Sequence, residues 1–96
     1  MSIVKAVKIY VIDGNKFSTL VEAAVEFTRV LGFSMPWNGN LDAFNDLLRG
    51  DFGTPMGGFI LRWRNSALSR ERLGEKLFDT LAEIIRGHKE IVLELE

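Results

Sequence analysis

Residues 36–50 read PWNGNLDAFNDLLRG. Pro36-Trp37-Asn38-Gly39 has the composition of a turn. Asn40 then stands where a helix N-cap belongs, because its side-chain oxygen accepts from the first free backbone N–H groups. From Leu41 to Arg49 the residues sort at helical spacing. Leu41, Phe44, Leu47 and Leu48 fall on one side, and Asp42, Asn45, Asp46 and Arg49 on the other. The spacing predicts a short helix that buries one face and turns two carboxylates outward, with Trp37 at its N-terminal edge. Taken alone, a polar helix face is usually no more than a solvated surface.

Working outward, Val4 to Ile12, VKAVKIYVI, is rich in β-branched residues and reads as a strand ended by Asp13-Gly14. Thr19 and Glu22 have the spacing of a capping box. Leu20, Ala23, Ala24, Phe27, Val30 and Leu31 form the apolar stripe of a helix closed by Gly32. Beyond the central stretch, residues 50–58 hold four glycines and a proline and read as a loop. Phe59 to Arg64 reads as a second strand. Asn65 or Ser66 caps a short third helix ending near Leu73, and a fourth runs from Glu75 to Arg86 with Leu77, Leu81, Ile84 and Ile85 inward, stopped by Gly87. Ile91 to Glu96 alternates as a last strand, one face buried and the other largely wet. The order β-α-α-β-α-α-β, with helical crossovers between successive strands, predicts an α/β fold with a three-stranded, mostly parallel sheet packed with helices.

The 96 residues suit one domain over 1–96 with a modest core. Thirteen acids against twelve bases leave a net charge of −1, which argues against a strongly basic nucleic-acid binder. The absence of cysteine rules out disulfides and fits a reducing compartment. No stretch approaches the roughly 20 apolar residues of a membrane span, so the expected location is the cytoplasm. One histidine and no cysteine make a zinc site improbable. Enzyme fingerprints are missing: no G-x-S-x-G, no H-E-x-x-H, no dinucleotide motif. The glycine-rich loop is no phosphate cradle, since neither a lysine and hydroxyl pair nor a helix follows it.

Asn40-Leu41-Asp42-Ala43, with an aromatic residue and a glycine before it and Asp46 four residues after Asp42, resembles the signature of the barstar family, intracellular inhibitors of secreted ribonucleases. The likeness covers nearly the whole chain. It is strongest at residues 37–48, WNGNLDAFNDLL, and at Ile60-Leu61-Arg62-Trp63-Arg64, which looks like the family's second strand with its tryptophan; Ile12-Asp13-Gly14 also fits. The resemblance implies a barstar-like fold and a binding protein rather than an enzyme, without cofactor, nucleic acid or membrane. Its partner would be a barnase-like ribonuclease, plugged one-to-one by a monomer.

In the family, the loop before the second helix and that helix enter the nuclease cleft. The implied contact set is therefore Trp37, Asn38, Gly39, Asn40, Asp42, Asn45, Asp46 and Arg49, with Glu83 on the fourth helix as a peripheral acid. Asp46 takes the place of the central aspartate, standing in for substrate phosphate against the nuclease's arginines and catalytic histidine; the family's own aspartate is a standard instance of an interface hot spot. Asp42 takes the place of a second acidic contact near the guanine-recognising loop. Carboxylates on a rigid helix meet arginines through charge-assisted, often bidentate hydrogen bonds, and acidic rims steer the encounter.

Four departures bear on the partner and not on the fold. Pro36 replaces one of two aromatic residues, the glycine is displaced by one position, Asn45 stands where the best-known members carry tryptophan, and Arg49 brings a positive charge toward a cationic cleft. Arg49 also lies at pairing distance from Asp46, three residues earlier. Trp37, in a polar turn, is expected to offer the partner a flat apolar surface, with packing as its other reading. Phe27, Phe44, Phe59 and Trp63 are expected in the core. His88, after the fourth helix, is expected to be structural. Two further readings are an immunity protein against a different toxin and a small RNA-binding domain using Arg62, Arg64, Arg70 and Arg72, residues that otherwise read as solvated surface.

Overall fold

The strand Phe59–Arg64 (β2) occupies the middle of a three-stranded sheet in the computed structural model of the protein, which describes residues 8–51 and 57–96. Strands β1 (Ile9–Asp13) and β3 (Ile91–Leu95) pair with it on either side. Both pairings are parallel, and Trp63 sits opposite Ile12 on one side and Leu95 on the other. Helices α1 (Leu20–Leu31) and α2 (Leu41–Asp46) connect β1 to β2, and α3 (Ser66–Leu73) and α4 (Glu75–Arg86) connect β2 to β3. The order is the expected one and the sheet is wholly parallel, as strands joined by long helical crossovers demand.

Alternation along the strands assigns the two faces. Ile12, Leu61 and Trp63 are fully buried and meet Phe27 of α1 and Phe78, Leu81 and Ile85 of α4. Ile9, Val11, Arg62, Arg64 and Val92 point the other way and stay partly or largely exposed. Trp63 is the hub. Its ring lies 5.0 Å from Phe78, 5.4 Å from Phe27 and 6.2 Å from Phe17, and its Nε1–H donates to the buried Ser69 hydroxyl at 2.9 Å. A tryptophan at the bottom of a core needs that acceptor, since an unpaired indole N–H would be costly there.

Local chemistry matches several expectations. The capping box of α1 forms: Thr19 Oγ1 accepts from Glu22 N–H at 3.2 Å, and Glu22 Oε1 accepts from Thr19 N–H at 3.2 Å. Gly32 ends α1 at φ 70°, where a side chain would be strained. The differences have physical reasons. Of the strand expected over Val4–Ile12, residues 4–7 lie outside the described residues, as do 52–56 of the glycine-rich loop; the observed strand continues through Asp13. The helix expected to reach Arg49 is α-helical only through Asp46. It then widens into a π-type turn over Leu47–Asp51, and Gly50, at φ 95°, turns the chain out of it. Asn65 does not cap α3 through its side chain. Its backbone is left-handed at φ 55°, and its Nδ2 donates instead to Asp13 Oδ1 at 2.9 Å. The Ser66 hydroxyl likewise donates away from the helix, to the Glu96 carbonyl at 2.9 Å, so the start of α3 is tied to the ends of both outer strands.

Asp13 also accepts from Asn15 N–H at 2.9 Å, opening the tight turn Gly14–Lys16 that leads into α1. Gly14 is buried there, and a Cβ on it would collide with the Ser69 hydroxyl and come within 2.6 Å of the Asn65 carbonyl. Gly14→Ala is therefore expected to destabilise by about 1–3 kcal/mol, the usual range for overpacking. For a chain of this size that lowers Tm by roughly 5–20 °C, readable by thermal denaturation. An unchanged Tm would mean that the turn does not pack on α3 in this way.

Candidate functional site

The polar helix face noted at the outset owes its position to aromatic packing. Phe27, fully buried on α1, touches the sheet through Trp63 and touches α2 through Phe44, with ring centroids 5.2 Å apart in edge-to-face geometry. Trp37 meets Phe27 at 6.0 Å and stacks on Phe44 at 4.3 Å with an interplanar angle of 16°. The inner side of α2 is thus fastened to the core by four rings. Leu47 and Leu48 complete the seal, each 5% exposed.

Trp37 does not offer the exposed surface the sequence reading favoured. It is 4% exposed and both its donors are used: the backbone N–H donates to Thr28 Oγ1 at 3.0 Å and Nε1–H to the Asn40 carbonyl at 2.6 Å. The packing alternative holds because the loop folds back onto α1, where the indole buries more area than a polar turn would suggest. The loop is held by further short bonds. Asn40 Oδ1 accepts from Ala43 N–H at 3.0 Å as the expected cap of α2, and Asn38 Oδ1 accepts from Asn40 N–H at 3.0 Å. Gly39 adopts φ 97°, a left-handed value that favours glycine.

The outer side of α2 carries the charges. Asp42 is exposed in the first turn, and Asp46 is 59% exposed. Arg49 is 62% exposed, and its Nη1 lies 3.8 Å from Asp46 Oδ1. At that length and exposure the pair is weak and leaves both groups free to engage a partner. Asn45 is already occupied. Its Oδ1 lies 2.9 Å from Nε2 of His88, a bond the histidine donates from its Nε2–H tautomer. Asn45 therefore joins α2 to the end of α4 rather than reaching outward, which is the structural role expected of His88. Glu83 is exposed on α4, the helix packed beside α2.

Two hollows flank this face. One, of about 210 Å³, is lined by Met35, Pro36, Trp37, Asn38, Ala43, Asp46 and Leu47. Met35 is 58% exposed at its edge, an apolar side chain that the sequence analysis did not single out. Its signal was position alone: a large apolar residue directly before Pro36 and outside any helical stripe. The other, of about 430 Å³, is lined by Arg49, His88, Lys89 and Glu90 among others, at the N-terminal ends of β2 and β3. Burial, and secondly the nearby Arg49 cation, hold the His88 pKa below its ordinary 6.5.

Of the four arginines considered for RNA contact, Arg62, Arg70 and Arg72 are engaged within the chain, and Arg64 is held only weakly. Arg62 pairs with Glu94 at 3.0 Å and Glu96 at 3.2 Å, and Arg64 lies 4.0 Å from Glu96. Arg70 pairs with Asp79 at 2.9 Å and Glu75 at 3.3 Å, and Arg72 donates to the Phe17 carbonyl at 3.2 Å. Among the described residues no group of three or more His, Cys, Asp or Glu is placed to hold a metal ion, and no helix is long and apolar enough to cross a membrane.

The class defined by these features is a small α/β protein, a parallel sheet with helices that hold a short carboxylate-bearing helix at its margin. The family model described as Barstar (barnase inhibitor) matches residues 7–95, nearly the whole chain, and the protein belongs to the barstar family. No curated protein matches the chain.

His88 is the only histidine, so its NMR titration is unambiguous. Its pKa is expected below 6.5, and Arg49→Ala is expected to raise it by removing a neighbouring cation. The sign for stability follows. Above 6.5 the contribution is complete; as pH falls through 6.5 the unfolded chain takes up a proton that the folded chain resists, so stability drops until the folded pKa is passed. A His88 pKa unmoved by Arg49→Ala would mean that the arginine does not face the ring.

Proposed function

We propose that this protein inhibits a barnase-type ribonuclease by inserting α2 and the loop before it, residues 37–40, into the nuclease active site. The observation that carries the reading is the exposure of Asp42 and Asp46 on the outer side of a helix whose inner side is locked by Phe27, Phe44 and Trp37. Membership of a family named for barnase inhibition supports it. A ribonuclease cleft is cationic because it holds RNA phosphates. Asp46, beside a hollow of side-chain size, stands in for a phosphate there, and Asp42 adds a second acidic contact. Preorganisation matters as much as charge, since a carboxylate already held in its bound geometry loses less entropy on association.

In this reading the protein works without catalysis or cofactor, as a monomer in a one-to-one complex. It acts in the cytoplasm as the immunity partner of a toxic nuclease. Glu83 steers from the periphery, Trp37 supports the contact surface from beneath, and Met35 supplies apolar contact area. The RNA-binding alternative is disfavoured by the internal pairing of Arg62, Arg70 and Arg72.

The test is titration of a barnase-type ribonuclease with the protein, following heat and RNA cleavage together. Tight binding that abolishes cleavage is expected. Asp46→Ala is expected to weaken it by about 2 kcal/mol or more, roughly 30-fold. A distant surface acid such as Glu71, truncated the same way, should change affinity by less than about threefold. Equal small losses at both positions, or no binding, would contradict the reading; no binding would point to a different toxin as the target.

A further inference from the structure

The outer face of α2 is divided between two signs of charge. Asp46 lines the hollow on the side of the 35–38 loop, whereas Arg49 lines the larger one together with His88 and Lys89. The two hollows adjoin through the Asp46–Arg49 pair, and the second is tied to α2 by the His88–Asn45 bond. A partner that covers Asp46 therefore also meets Arg49. At 62% exposure and 3.8 Å from Asp46, the guanidinium is not neutralised by its neighbour. Lys89 adds a second exposed cation at the same hollow, against one carboxylate, Glu90, among the described residues that line it. A purely cationic nuclease rim would be repelled here, and like charges brought together at a closing interface suppress binding.

We infer that the nuclease bound by this protein presents an aspartate or glutamate side chain to the hollow formed by Arg49, Lys89 and His88, beside the cations it presents to Asp42 and Asp46. Arg49 is then a specificity-determining residue that favours such a nuclease and rejects one with an all-cationic rim. The space, about 430 Å³, admits a carboxylate side chain with room to spare. Arg49 offers it a planar fork of donors, and Lys89 a mobile point charge. Among the described residues, the carboxylate paired with the guanidinium is Asp46, and Glu90 lines the same hollow. This inference rests on the ribonuclease-inhibitor reading and adds the charge pattern of the partner.

The experiment uses the ribonuclease that the wild-type protein inhibits. Affinities are measured by calorimetry at one fixed low salt concentration for wild type and for Asp46→Ala, Arg49→Ala, Arg49→Glu and Lys89→Ala. All three positions are exposed, and far-ultraviolet circular dichroism checks that each variant folds. The inference predicts that Arg49→Ala weakens the complex roughly tenfold or more, that Arg49→Glu weakens it further, and that Lys89→Ala weakens it in the same direction. Removal of one nuclease surface carboxylate is then expected to abolish the Arg49→Ala effect in a double-mutant cycle. If Asp46→Ala weakens binding while Arg49→Ala leaves it equal or tighter, the partner rim is cationic throughout. The inhibitor reading then stands and this inference is overturned. If no barnase-type ribonuclease binds the wild-type protein, both fall together.

Discussion

Everything at the acidic face depends on Phe27. One ring on α1 contacts Trp63 of the central strand, Phe44 of α2 and Trp37 of the preceding loop. A six-residue helix has little stability of its own, because nucleation is costly and so few residues recover it. Its orientation is borrowed from the core through aromatic contacts whose edge-to-face and stacked geometries admit few alternatives. The backbone that carries Asp42 and Asp46 is held in place for this reason, while their side chains stay exposed.

The same packing explains why Trp37 is inside. An indole in the loop could have enlarged the contact surface. Instead it bridges the core to the N-cap of α2, donating to the Asn40 carbonyl while Asn40 caps Ala43. Surface chemistry is left to short polar side chains, to Met35 and to Arg49. The division would suit the docking face proposed above: bulky rings determine where the helix lies, and small charged groups stand on its outer side. On the sheet side, Asn65 and Ser66 bind the ends of the outer strands rather than α3, so that the start of the second crossover is coupled to both edges.

How much was legible in the sequence can be argued element by element. The helices α1, α2 and α4 announced themselves because apolar residues recur at helical spacing and because Thr19, Asn40 and Gly32 are chemically suited to caps. Strand order and the parallel sheet followed from the long crossovers. The Asp42 and Asp46 face was legible from spacing, and family membership from the likeness of residues 37–48 and 60–64. What escaped were relations between residues distant in the chain. The Asn45–His88 bond spans 43 positions, and no local pattern marks it. The burial of Trp37 depends on the return of its loop to α1, which composition does not encode. Asn65 looked like a cap because asparagine commonly is one, yet its left-handed backbone and its bond to Asp13 come from the tertiary fold.

The most direct measurement of the central claim is a comparison of amide NMR spectra for the free and ribonuclease-bound protein. If the aromatic-braced helix is the recognition face, the largest shifts fall on residues 35–49 and extend to His88 and Lys89. The outward residues of the sheet, Val11, Arg62 and Val92, then remain in place. Shifts concentrated on that sheet face or on α3, with α2 unmoved, would contradict the account.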